Sequence, residues 1–242
     1  MHRAETIETV EPAIVFINFL RSATSTYRRD VETKKPESIF LLSVVAMVLT
    51  AQIGLGIAPK ASRMTWTLEN FPVWIGLGVL AFTWKRFQLS RLTLVLLAIH
   101  SVILAVGGHW TYARAPLGEW MKDIFHFSRN HYDRIGRFAQ GFIPAIFVRE
   151  LLVRVARYPR NRWLGFVVIS VCLAFSAFYE FVEWWTALAT GEAATDFLGT
   201  QGDPWDTQWD MFFALCGACL AMATLPRLHD TSMRRVADAG AL

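Results

Sequence analysis

Apolar residues in this chain gather in long, nearly unbroken blocks, without the strict alternation of a half-buried strand. A helix rises 1.5 Å per residue, so about 20 apolar residues cross the roughly 30 Å of a bilayer's hydrocarbon. Six blocks meet or approach that requirement: residues 39–58, about 71–84, 92–112, about 136–156, 163–185 and 209–225. Pro59 and Pro226 follow the first and last. The second block is short, and the fourth carries Arg137, Gln140, Arg149, Glu150 and Arg154. The pattern predicts an all-α, polytopic transmembrane helical bundle of about six spans. Residues 38–226 form the membrane domain, between an N-terminal arm (1–37) and a C-terminal tail (227–242). Within the arm the apolar stretch 13–20 is too short to span.

The distribution of Lys and Arg sets the expected orientation. With the N-terminus inside, cytoplasmic segments hold 16 and outer loops 7, which favours N-in and C-in by the positive-inside rule. Most of the ten tryptophans fall near span ends, the depth amphipathic indoles prefer.

Composition agrees: 54% of residues are hydrophobic, above the roughly 45–50% of a soluble domain. The net charge of +4 comes from residues lying between apolar blocks, so it predicts membrane lipids and no nucleic acid as partners. Cys172, Cys216 and Cys219 all lie in apolar blocks and read as small core filler. The expected location is a bacterial cytoplasmic (inner) membrane.

The orientation gathers the polar residues at one face. His109 and Tyr112 close the third span. The next loop carries Asp123, His126, Arg129, Asn130, His131, Asp133 and Arg134, and the fourth span opens with Arg137 and Gln140. Ser176, Tyr179, Glu180 and Glu183 recur at i, i+3, i+4 and i+7, so they share one face of the fifth span. Residues 186–208 contain Glu192, Asp196, Asp203 and Asp206 with no Lys or Arg, and run into Asp210 on the sixth span. A carboxylate in hydrocarbon costs roughly 2.5–3.5 kcal/mol or more, so these groups need a cation, a proton or water. Arg129, Arg134 and Arg137 are one solution. A divalent metal held by carboxylates with a histidine is another. The same arginines also suit a phosphate or carboxylate ligand. Glu180, Asp210, His131 and Asp133 are the candidates for acid/base chemistry. Arg129, Arg134, Arg137, Gln140, Tyr179, Glu183, Gln201, Asp203 and Asp206 are the candidates for ligand binding. Elsewhere, His100 reads as a hydrogen-bonded core residue, and Arg149 and Glu150 as residues that snorkel or pair structurally.

The stretches 129–136 (RNHYDRIG), 179–184 (YEFVEW) and 198–208 (LGTQGDPWDTQ) resemble the YjdF-like bacterial inner-membrane proteins. That resemblance implies a multi-pass inner-membrane protein and no defined activity. Asp133-Arg134-Ile135-Gly136-Arg137-Phe138, Glu180, and Asp210 with Gly217 are more distantly similar to VanZ-like membrane proteins. This chain departs from both groups at Arg137, where they carry histidine, which weakens a metal-ligand role there.

Three functions follow as expectations. The first is a site at the extracytoplasmic face that binds or acts on a lipid or lipid-linked headgroup. The second is a small transporter or lipid translocator, and the third a non-catalytic assembly factor. No HExxH, Walker or phosphatase signature is present to single out a reaction.

Overall fold

A computed structural model describes residues 38–190 and 202–240. The described residues form eight α-helices: α1 (Ser38–Gly56), α2 (Arg63–Thr83), α3 (Arg91–Trp110), α4 (Pro116–Phe125), α5 (Tyr132–Arg154), α6 (Arg162–Thr190), α7 (Asp206–Thr224) and α8 (Pro226–Gly240). A 3-10 turn, Tyr112–Arg114, links α3 to α4. The arm 1–37, the stretch 191–201 and residues 241–242 lie outside the described residues.

Helices occupy all six expected blocks. α1, α3 and α6 are each long and apolar enough to cross a bilayer, and α7 with α8 qualifies as a bent pair. α2 and α5 have 21 and 23 residues, about 32 and 35 Å at the helical rise, but carry more polar groups. Pro226 opens a new helix instead of ending the chain's helical run, so α8 turns 69° away from α7.

Two boundaries differ from the sequence expectation. α2 starts at Arg63, well before residue 71, because the Ser62 hydroxyl accepts the Thr65 amide at 3.0 Å and caps the helix. Glu69 thereby moves from an expected loop into a helix. α4 lies inside the segment expected to be a loop. Pro116 occupies its first turn, where a missing N–H costs nothing, and His126 ends it in the left-handed conformation (φ 55°).

The tightest packing joins α5 and α7. A Cβ at Gly141 would collide with the Ala214 carbonyl, and one at Gly217 with the Phe138 carbonyl. Small residues that let backbones touch drive helix association in lipid, where the hydrophobic effect gives little. Ala145, Ile146, Leu164, Val168, Cys172, Ala218 and Ala221 continue this core through α5, α6 and α7. α1 packs Leu41 and Val48 against α2 and α3, and Gln52 donates to Asn70 Oδ1 at 2.9 Å.

At the other end of the bundle, Glu150 fastens α3, α5 and α8 together. It accepts from the Ser90 amide (2.8 Å), the Ser90 hydroxyl (2.8 Å), Thr93 (2.5 Å) and Arg154. His229 bridges Glu150 Oε2 (3.2 Å) and Arg149 (3.0 Å), and Arg149 also pairs with Asp230 at 2.8 Å. A guanidinium only donates, so His229 Nδ1 accepts and Nε2 carries the proton toward Glu150. Both Arg149 and Glu150 therefore serve as structural partners, as the sequence reading expects.

Candidate functional site

α3 ends, α5 and α7 begin, and α6 finishes at the same end of the bundle, so four helices deliver polar groups there. Asn130 shapes the entry to α5: its side chain donates to the Ala115 carbonyl (3.1 Å) and Glu119 (2.8 Å) and accepts the Tyr132 amide (3.0 Å). That turn aims Asp133 and Arg137, one helical turn apart, at α6 and α7.

Arg137 is the hub. Its Nε lies 3.5 Å from Asp133, its Nη1 3.2 Å from Glu180, and its Nη2 2.9 Å from Asp210 while also bonding Glu183. The Tyr179 ring covers the guanidinium at 5.2 Å. All five charged groups are buried. One cation thus stands among four carboxylates drawn from α5, α6 and α7.

A second layer closes over the hub. Arg129 pairs with Asp203 and Asp206, both at 3.0 Å, and Arg134 with Asp203 at 3.2 Å. Arg134 also lies over the rings of Trp209 (5.0 Å) and Phe213 (5.6 Å). Asp203 Oδ1 accepts the Trp205 amide at 3.0 Å, which fixes the loop at the start of α7. Arg129, Arg134 and Arg137 are therefore all engaged by carboxylates.

Six carboxylates face three guanidiniums across these two layers. Oxygens of Asp133, Asp206 and Asp210 lie within 4.8 Å of one another, as do those of Glu180, Glu183 and Asp210. Either set has the hard oxygen donors a divalent cation takes. No histidine joins either set, and Arg137 already supplies positive charge to both.

His131 stands apart from this group. It occupies the N-cap position of α5, its ring meets Phe127 edge-on at 4.8 Å, and its Nδ1 has no hydrogen bond. Burial and the positive charges of Arg134 and Arg129 lower its pKa below the usual histidine value. Gln201 lies outside the described residues.

Below the hub a cavity of about 420 Å³ runs between α1, α2 and α3 on one side and α5 and α6 on the other. Such a volume falls in the range of small-ligand sites, about 300–1,000 Å³. One end is polar, formed by Glu69, Tyr112, Asp133, Arg137, Gln140, Tyr179 and Glu183. The rest is mostly apolar, with Val48, Val73, Leu77, Ala98, Leu104 and Phe147 among its walls. Gly76 of α2 and Phe175 of α6 border it and are exposed, and α2 and α6 do not pack closely on each other.

Two wall residues depart from the sequence reading. Glu69, buried on α2, was not among the expected site residues, because residues 59–70 read as a loop. The cap signal at Ser62, followed by helical spacing, is what places it on a helix. His100 does not behave as a hydrogen-bonded core residue: its Nε2 has no partner and it borders the apolar part of the cavity.

Residues 40–231 match the family described as "Predicted membrane protein (DUF2238)". The chain is 44% identical over 204 residues to the inner membrane protein YjdF of Escherichia coli (strain K12), covering 84% of this chain and 96% of that protein. No solved structure matches. The VanZ-like similarity is not carried by these matches.

Proposed function

This chain belongs to the DUF2238 family of predicted membrane proteins, and from that premise we propose that it is a multi-pass inner-membrane protein that binds an amphiphile. The ligand's polar head sits against Arg137, Gln140, Tyr179 and Glu183, and its apolar tail fills the space below. The positive-inside count favours the extracytoplasmic face for the head end, which supports access from lipids or lipid-linked groups of the outer leaflet.

The cavity carries this reading. A purely structural ion-pair network needs no space beside it, and packed interiors leave few voids larger than a water molecule. Here the network forms one end of a void whose remaining walls are mostly apolar, with His100 and Ser101 the polar exceptions. That polarity gradient matches a molecule with a polar head and a hydrocarbon tail. The gap between α2 and α6 offers lateral entry from the bilayer. Engagement of all three arginines by carboxylates argues against recognition of a phosphate by Arg134 and Arg137.

Native mass spectrometry of the detergent-purified full chain tests the proposal, with Gly76→Phe as the blocking variant. Gly76 borders the void, and a Cβ added there meets nothing within 4 Å, so a larger side chain can be introduced at its rim. The wild type retains a bound amphiphile of defined mass after detergent stripping, and Gly76→Phe loses it at unchanged thermal stability. A wild type that retains none, or equal retention by both, refutes the proposal.

A further inference from the structure

The head end of the cavity is short of positive charge. Three carboxylates border it, Glu69, Asp133 and Glu183, against one guanidinium, Arg137. That guanidinium is already shared among Asp133, Glu180, Glu183 and Asp210. Arg129 and Arg134 are turned toward Asp203, Asp206 and the Trp209 ring and do not border the cavity.

Glu69 is the independent observation. It comes from α2, outside the Arg137 group, and is 6% exposed. No ion-pair partner of Glu69 occurs among the described residues. A buried carboxylate without an ion-pair partner must take up a proton or find a cation, and an ammonium ligand supplies the second solution. Two aromatic rings, Tyr112 and Tyr179, border the same end. Aromatic faces beside carboxylates are the chemistry that holds ammonium groups.

We infer that the amphiphile bound here carries a positively charged nitrogen, an ammonium on an apolar chain, seated between Glu69 and Glu183. The inference rests on the amphiphile reading above and adds the sign of the head. An anionic head would face three carboxylates with no free arginine, and like-charge juxtaposition of that kind is strongly unfavourable. Such an ammonium has two sources, an aminolipid of the membrane or a water-borne amphiphilic amine, and both present the same group to the site.

The test is a competition series on the purified full chain, read by native mass spectrometry, with four ligands of one tail length: decylammonium, decyltrimethylammonium, decanol and decyl phosphate. The ammonium ligands occupy the wild type at least about tenfold more tightly than decyl phosphate, as charge discrimination of this kind requires. Glu69→Gln and Glu183→Gln, made separately in case one fails to fold, each reduce the preference for the ammonium ligands over decyl phosphate. Chain reconstituted in nanodiscs with and without phosphatidylethanolamine separates the sources, since a membrane aminolipid would compete with added decylammonium. Equal binding of decylammonium and decyl phosphate, with Gly76→Phe still blocking both, overturns the charge inference and leaves the amphiphile reading standing. Binding of none of the four, or no effect of Gly76→Phe, overturns the amphiphile reading itself.

Discussion

Arg137 on α5 and Asp210 on α7 face each other at 2.9 Å across a helix crossing where backbone meets backbone, with Glu180 and Glu183 of α6 on the same guanidinium. One side chain therefore ties three helices together and also forms the polar wall of the cavity.

Removing Arg137 leaves four buried carboxylates without their shared cation. Stripping one partner from a buried ion pair typically costs about 3–5 kcal/mol. Arg137→Gln should lower the melting temperature in detergent markedly, and the double variant Arg137→Gln/Glu183→Gln should recover part of the loss. A double variant no more stable than the single would show that the pairing carries no coupling energy.

Gly141 and Gly217 test the crossing itself. Their missing Cβ atoms would collide with backbone carbonyls, which cannot rotate away. Gly217→Leu should separate α5 from α7, costing about 1–3 kcal/mol or more as overpacking does, and scatter the Arg137 group. Size-exclusion chromatography should show a reduced monodisperse fraction. Gly54→Leu is the control, because a Cβ there meets nothing within 4 Å.

The opposite end is held by His229 between Arg149 and Glu150. Met233 of α8 is 3% exposed, so a cysteine placed there is shielded while α8 stays docked. In a background lacking the natural cysteines, Met233→Cys should label slowly, and adding His229→Ala should speed labelling. Equal rates would mean that α8 is held by something other than His229.

His131 gives a pH dependence of defined sign. Its folded pKa is lowered by burial and by Arg134 and Arg129, so the unfolded chain binds more protons as pH falls below about 6.5. Its contribution to stability is complete above that pH and is lost on acidification. His131→Gln should flatten the fall in melting temperature between neutral and mildly acid pH relative to the wild type. Parallel curves would place the sensitivity in other groups.

The sequence made the bundle legible because block length and apolar content are local properties. It also brought Glu180, Glu183, Asp210 and Arg137 to one end, through helix spacing and an even number of crossings. Two things stayed hidden. Whether arginines at that end are free or already paired depends on side-chain geometry across helices, and Arg129, Arg134 and Arg137 all turned out to be engaged. The cavity depends on how α2 and α6 splay apart, which no local pattern encodes. Glu69 was missed for a smaller reason, a helix start misplaced by several residues.

The central claim is that a hydrocarbon tail lies inside the bundle, and photo-crosslinking reads that position directly. An amphiphile carrying a diazirine on its chain is added to the purified protein, irradiated, and its adducts mapped by peptide mass spectrometry. The account predicts adducts on Val73, Leu77, Ala98 and Leu104, abolished by Gly76→Phe. Adducts confined to outward-facing residues such as Phe166 and Leu220, insensitive to that substitution, would contradict it.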